Sequence, residues 1–269
     1  MYGVQLAFKR YSISKGIVDS PWVGLKYFEI LATTPSSLRV LVNTLVLSFY
    51  GLVASFPLPI LLAIALNETR RRFVKKSVQL ISYAPYFIST VVAVGMLLQL
   101  LDSRSGIINR IIVLAGGQPV NFMADPGLFS SVYVWSGIWQ TMGYSAVIYL
   151  AALSSVSTEL QDAANIDGCT RLQRIRHVDI PSIMPTVTTL LVLNFGSVMS
   201  IGFEKVYLMQ NALNLDTSEI IATYVYKVGL INSDYGLSTA IGLLNSVINV
   251  ILLLAANRIA RRLSGNGLW

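Results

Sequence analysis

Charged residues are scarce in this chain. Only 12% of its 269 residues are Asp, Glu, Lys or Arg, whereas 54% are hydrophobic. Soluble domains carry about 25% charged residues, so the composition excludes an ordinary soluble enzyme and predicts an integral membrane protein. The net charge of +7 is explained by basic loops at one membrane face and does not require nucleic-acid binding.

Cysteine and histidine are also nearly absent. Cys169 is the one cysteine and His177 the one histidine, so no intramolecular disulfide can form and a metal site would lack ligands. On a helix these two residues would lie roughly 12 Å apart at 1.5 Å per residue, too far for a nucleophile and its base. The phosphate-binding pattern G-x-x-x-x-G-K-[ST] is missing. We therefore expect no catalytic residue, metal or cofactor in this chain.

Five apolar stretches are long enough to cross a hydrocarbon core, which takes roughly 20 helical residues. They are too long and too continuous for membrane β-strands, so the predicted fold is all-α, a polytopic membrane helix bundle. The predicted spans are 40–66, 77–101, 127–157, 182–203 and 239–257. Their interiors contain no Asp, Glu, Lys or Arg. Ion-coupled carriers commonly place such groups at membrane depth, although carbonyls and hydroxyls could still bind sodium.

Basic residues predict the orientation of the bundle. There are three clusters of basic residues. The first follows the first span, the second follows the third span, and the third lies at the end of the chain. They are Arg70, Arg71, Arg72, Lys75 and Lys76; Arg171, Arg174 and Arg176; and Arg258, Arg261 and Arg262. Short basic loops stay in the cytoplasm, which places loop 158–185 and the C-terminus there. The connections 102–126 and 204–238 would lie outside.

This orientation also places residues 1–37 outside, before a transmembrane domain at 38–269. Residues 1–37 contain neither a signal peptide nor an apolar run of spanning length. We expect a truncated first span upstream, with residues 1–8 as its outer end. The alternative is that the whole segment lies on the outer surface.

The loop between the third and fourth spans is polar and rich in helix signals. Thr158 and Gln161 fit a capping box that would start a helix at 159–167, and Gly168 is suited to end it. Thr170 and Gln173 repeat the capping spacing before a second short helix at 171–178. Pro181 and Pro185 would end that element or open the next span. On the first helix Leu160, Ala163, Ala164 and Asp167 share one face, which another protein could approach closely.

The pattern D-A-A-x-x-D-G-C-x-x-x-x-x-I-x-x-V-x-I-P, from Asp162 to Pro181, resembles the EAA loop of inner-membrane permease subunits of binding-protein-dependent ABC importers. Asp162 replaces the usual Glu and Cys169 the usual Ala, and both changes preserve charge or volume. The N-terminal sequence MYGVQLAFKRYSISKGIVDSPWVGLKYFE, the NTL at 43–45 and the IYLAAL at 148–153 are similar to permeases of complex-carbohydrate importers.

The resemblance implies a type I importer permease. Its partners would be a second permease, two cytoplasmic ATPases that bind ATP and magnesium, an extracytoplasmic solute-binding protein and an oligosaccharide. The short helix at 159–167 would be the coupling helix that moves with the ATPase. The implied coupling residues are Glu159, Asp162, Ala163, Ala164, Asp167, Gly168, Arg171 and Pro181. The alternative function is an ion-coupled carrier or channel that matches the loop by chance.

Aromatic and amide side chains within the spans are candidates for substrate contact, because sugars stack on aromatic faces and hydrogen-bond to polar groups. Trp135 is instead explained as an interfacial anchor. Small residues such as Gly95, Gly143 and Gly196 are expected at close helix contacts. The candidate pathway residues are Tyr86, Trp139, Gln140, Tyr144 and Asn194.

The predicted external segment 204–238 contains one further helix signal. Residues 217–229 read as a short helix that Thr217 or Ser218 would cap and Gly229 would stop. Together with 102–126 this segment would either receive a binding protein or form a solvated connection.

Overall fold

A computed structural model describes residues 2–264. Every regular element in this range is helical, apart from two isolated β-bridges, Lys9 with Trp22 and Ser12 with Gly16. The predicted all-α class is therefore confirmed. The end of the predicted domain 38–269 and the Arg262 side chain lie outside the described residues, as does Met1.

Fourteen α-helices occur in residues 2–264. They are α1 Lys26–Thr33, α2 Pro35–Ser55, α3 Pro57–Glu68, α4 Arg72–Tyr83, α5 Thr90–Leu101, α6 Ile107–Leu114, α7 Pro126–Ser154, α8 Thr158–Ile166, α9 Arg171–Arg174, α10 Ile180–Gly196, α11 Phe203–Met209, α12 Leu215–Ser218, α13 Ile221–Tyr226 and α14 Tyr235–Ser264. Short 3₁₀ helices occupy Tyr2–Phe8 and Ala84–Phe87, and π turns occupy Ile175–Asp179 and Lys227–Ile231.

Three helical stretches of residues 2–264 are long and apolar enough to cross a membrane, namely Pro35–Glu68, Arg171–Gly196 and Tyr235–Arg258. The pair Arg72–Phe87 and Thr90–Leu101 would make a fourth if it formed one span. Helix α7 has 29 residues, enough for about 43 Å at 1.5 Å per residue, but it is rich in Ser, Gly, Tyr and Trp. The count of five spans therefore stays a prediction.

The predicted span at 77–101 is broken, because the two helical segments within it are bent by 103°. Pro85 lies in the 3₁₀ turn at the break, and Ile88 is extended with ψ 130°. Proline lacks the N–H that would donate a helical hydrogen bond at its position. The Gln140 side chain donates to the Ile88 carbonyl at 3.0 Å, which supplies a partner at the broken helix.

The residues divide into two compact units. The second unit comprises residues 51–89, 134–196 and 252–269. Its core is built where α3, α7 and α10 meet, from Ala63, Ala146, Tyr149, Leu153 and Ile183. These buried residues position the loop that α8 and α9 form between α7 and α10.

Two of the three predicted close-packing glycines are confirmed in this second unit. A Cβ on Gly143 would lie 2.0 Å from the Ser82 carbonyl oxygen, and one on Gly196 would lie 2.8 Å from the Leu253 side chain. Gly95, in the first unit, would meet nothing within 4 Å. The expectation for Gly95 is therefore wrong.

The first unit comprises residues 1–50, 90–133 and 197–251. In this unit a helix is present as predicted at 217–229, but its predicted limits are wrong. The chain is extended at Ile220, and the helix begins at Ile221 and continues through the π turn to Ile231. The Thr44 hydroxyl accepts a hydrogen bond from the Ile221 N–H at 2.9 Å, so a distant residue caps the helix.

Gly229 does not stop that helix. It is buried inside the π turn, where a Cβ would lie 2.8 Å from Ser238 Oγ. Its small size serves packing, and the helix gives way to a turn at Ser233, whose φ is 57°.

Candidate functional site

The loop between α7 and α10 begins with the predicted short helix. Its N-cap is Ser157, whose hydroxyl accepts from the Glu159 N–H at 3.1 Å, rather than the predicted Thr158. Gly168 has a φ of 76°, as the sequence predicted for the residue that ends the helix. Hydrogen bonds from Gly168 N to Asn165 O at 3.2 Å and from Cys169 N to Ala164 O at 3.0 Å form a Schellman motif.

The second capping signal is also confirmed. Thr170 and Gln173 form a reciprocal capping box at the start of α9, with the Thr170 N–H donating to Gln173 Oε1 at 2.8 Å. The predicted separate helix at 171–178 is wrong, because Arg171–Gly196 is one continuous helical stretch.

The π turn Ile175–Asp179 explains this continuity. It ends two residues before Pro181, whose ring would clash with the carbonyl four residues earlier in a regular α-helix. A π turn widens the backbone at such a point. Pro181 therefore falls in the first turn of α10, and Pro185 is accommodated inside that helix.

The predicted small-residue face of α8 is divided between the interior and the surface. Ala164 is 8% exposed, and α8 lies against the π turn. Ala163 and Asp167 are exposed. Of the other predicted coupling residues, Glu159, Asp162, Gly168 and Arg171 are also exposed.

Two apolar side chains missed by the sequence analysis complete the exposed surface. Ile166 is 85% exposed and Leu172 is 75% exposed, alongside Leu160 at 55%. We call Leu160, Ile166 and Leu172 the loop apolar patch. Ile166 was missed because it lies six positions after Leu160, off the face that the i, i+3, i+4, i+7 spacing selects.

A partly buried ion cluster at the loop was also missed. Arg174 Nη2 pairs with Glu68 Oε1, and Arg174 Nε lies 4.0 Å from Asp179 Oδ2. Asp179 is 1% exposed. A polar cavity of about 240 Å³ adjoins the cluster, lined by Asn67, Glu68, Arg70, Asn165, Cys169, Arg171 and Arg174.

The candidate pathway residues fall into two groups in the second unit. Tyr86 and Tyr144 stack with ring centroids 3.9 Å apart and planes 6° apart, and both rings are partly exposed. Gln140 lies one helical turn before Tyr144 and bonds to the Ile88 carbonyl. Trp139 is half exposed. The structure therefore brings Tyr86, Gln140 and Tyr144 to the break in the predicted second span.

Asn194 belongs to a different group. It contributes to a cavity of about 180 Å³ lined by Ser55, Phe56, Pro59, Ile138, Thr141, Met142, Ser145, Tyr149 and Asn194. Thr141, Ser145 and Tyr149 lie at i, i+4 and i+8 on α7, so one polar stripe faces this cavity. The i, i+4, i+8 spacing of these three hydroxyl groups is a sequence signal for the stripe.

Known proteins resemble this chain over its whole length. A polygalacturonan/rhamnogalacturonan transport system permease protein, YteP of Bacillus subtilis, is 41% identical over 100% of this chain and 84% of its own. The LplB protein of the same organism is 39% identical over 100% of this chain and 85% of its own.

A solved structure is also similar. A chain of a bacterial alginate ABC transporter, in complex with an alginate pentasaccharide-bound periplasmic protein, superposes with a TM-score of 0.92. It shares 35% identity and covers 99% of this chain and 88% of its own. The family model for the inner membrane component of binding-protein-dependent transport systems matches residues 55–265. The chain therefore belongs to this family of ABC transporter permeases.

Proposed function

We propose that this chain is the membrane-spanning permease subunit of an ATP-driven importer that takes up an oligosaccharide delivered by an extracytoplasmic binding protein. The observation that carries this proposal is the loop apolar patch. Three large apolar side chains are exposed on a short, doubly capped loop, in a chain of a transport-permease family. Exposed apolar patches on otherwise polar surfaces mark protein contacts.

The partner that fits the patch is a cytoplasmic ATPase subunit. Helix α8 would seat in a cleft of the ATPase, with Leu160, Ile166 and Leu172 as its apolar anchors and Glu159, Asp162 and Asp167 at the polar rim. A second permease and a second ATPase would complete the complex. ATP and magnesium would bind to the ATPases, so this chain contributes movement and no catalysis.

Loop 158–185 and the C-terminus are assigned to the cytoplasm in this proposal. Arg70, Arg71 and Arg72 would lie on the same side, in keeping with the positive-inside rule. The segments 102–126 and 204–238 would then face the binding protein. In the first unit these segments are joined, because Asn211 and Asn214 both donate to the Met123 carbonyl, at 2.8 and 3.0 Å.

The substrate is proposed from the two pathway groups and from the carbohydrates named for the relatives. The half-exposed Tyr86 and Tyr144 rings offer flat faces of the kind that stack against sugar C–H surfaces. The cavity beside Asn194 offers hydroxyl and amide groups. At about 180 Å³ it is smaller than the roughly 300–1,000 Å³ of drug-sized sites, so it would hold one part of a longer sugar.

Reconstitution tests the proposal. The complete importer, with both permeases, the ATPases and the binding protein, is placed in proteoliposomes, and uptake of labelled oligogalacturonide or alginate oligosaccharide is measured. Uptake should require ATP and the binding protein, and ionophores that collapse proton and sodium gradients should leave it unchanged. Uptake that continued without ATP but stopped with the ionophores would favour an ion-coupled carrier instead.

A further inference from the structure

The partly buried ion cluster of Glu68, Arg174 and Asp179 connects three elements of the second unit. Glu68 is the last residue of α3, Arg174 the last of α9, and Asp179 the last of the π turn that leads into α10. The Arg174 and Glu68 side chains are less than one-fifth exposed. One guanidinium therefore links the end of one predicted span, the loop, and the beginning of another span.

The cluster is not an obvious source of stability. Two carboxylates share one guanidinium, and Arg174 Nε and Asp179 Oδ1 are buried without a hydrogen-bond partner among the described residues. Desolvation of charged groups can outweigh their mutual attraction, and apolar replacements of buried ion pairs are often neutral or stabilising. A role in stability alone therefore gives a weak account of these three residues.

We propose that Arg174 is a positioning residue for energy coupling, which clamps the loop that carries α8 to the cytoplasmic end of α3. The proposal rests on the proposed function, in which α8 contacts the ATPase. Because α8 lies against the π turn and Arg174 ties that turn and α9 to Glu68, a displacement of α8 carries the ends of α3 and α10 with it. Without the clamp, the loop moves with the ATPase while α3 stays behind.

Glu68→Gln is the first variant to test. It removes the tie to α3 and leaves one guanidinium facing one carboxylate, so the remaining buried charges balance. In the reconstituted importer, the number of sugars imported per ATP hydrolysed should fall about tenfold, within the range of ordinary coupling free energies. ATP hydrolysis itself should continue. Arg176→Gln, at an exposed position in the same loop, is the matched control and should leave the ratio unchanged.

Arg174→Lys is the second variant, in case Glu68→Gln does not accumulate as folded protein. Lysine keeps the charge but has a single ammonium in place of the forked guanidinium, so it should hold one carboxylate at a time. We expect the number of sugars imported per ATP hydrolysed to lie between the values of the wild type and of Glu68→Gln. A wild-type ratio in both variants would overturn the clamp.

Cys169 separates failure of the clamp from failure of the proposed function. It is exposed and lines the same cavity as Glu68 and Arg174. ATPase binding should slow its labelling by a maleimide in the wild type and in Glu68→Gln alike. No protection in the wild type would contradict docking at the loop, and with it the proposed function. Protection in both proteins with an unchanged import ratio would overturn the clamp alone. Protection lost only in Glu68→Gln would also overturn the clamp, because Glu68 would then act on docking.

Discussion

At the scale of single residues, Gly143 has no room for a side chain in the second unit. Gly143→Ala would place a Cβ 2.0 Å from the Ser82 carbonyl oxygen, and a backbone atom cannot rotate away as a side chain can. Overpacking typically costs about 1–3 kcal/mol. We expect a lower melting temperature in detergent and less folded protein in the membrane.

Gly95→Ala is the matched control for this substitution. Gly95 also lies within an apolar helix, but a Cβ there meets nothing within 4 Å. Alanine is about 0.8–1.0 kcal/mol more favourable than glycine in a helix interior, so the melting temperature should be unchanged or higher. An equal fall in the melting temperature of both variants would contradict the assignment of Gly143 to a close helix contact.

At the scale of elements, local chemistry decided which features could be predicted. The capping box at Thr170 and Gln173, and the glycine end of α8, depend on neighbouring residues and were predicted correctly. The predicted N-cap of α8, Thr158, was off by one residue, because the neighbouring Ser157 can cap the same helix and does so. In contrast, Glu68 and Arg174 are separated by 106 positions, and no spacing rule joins them.

The predicted limits of the helices at 171–178 and 217–229 were also wrong. Their true limits depend on a π turn ahead of Pro181 and on the Thr44 hydroxyl, which caps α13 from 177 positions away. The break at Pro85 is visible in the sequence as a proline, but a kinked span and a sharp bend share that signal. Tertiary contacts, such as the one between Gln140 and Ile88, decide whether the chain forms a kinked span or a sharp bend.

The loop apolar patch gives a prediction at the same scale. Ile166→Ser should leave the melting temperature of the permease unchanged, because exposed substitutions usually alter stability by less than about 0.5 kcal/mol. It should weaken ATPase binding roughly tenfold or more, since full burial of such a side chain contributes about 1.5–3 kcal/mol. The measurement is the affinity of the purified ATPase for the permease in nanodiscs.

Ile13→Ser is the control for the patch. Ile13 is 77% exposed and lies in the segment 1–37, which is assigned to the opposite side of the membrane. Its substitution should not alter ATPase affinity. If Ile166→Ser bound the ATPase as tightly as Ile13→Ser, the patch would not be the docking surface.

At the scale of the whole molecule, the orientation in the membrane determines which surface each partner can reach. Cys169 is the single cysteine of the chain, it is exposed, and it lies within the loop assigned to the cytoplasm. A membrane-impermeant maleimide should therefore label it in inside-out vesicles stripped of the ATPase, and not in intact cells or spheroplasts. Cys169→Ala should remove the labelling in both preparations.

The opposite face needs its own cysteine reporter, because the absence of Cys169 labelling from outside does not show that the reagent reaches that face. Gln118→Cys in a Cys169→Ala background places a cysteine at an exposed position of the segment 102–126, and it should be labelled from outside. The two reporters flank α7 in the sequence, and α7 contains no charged residue along its 29 positions. Labelling of both cysteines from the same side would mean that α7 does not cross the membrane. Labelling of Cys169 from outside and of Gln118→Cys from inside would exchange the roles proposed for the loop and for the binding-protein surface.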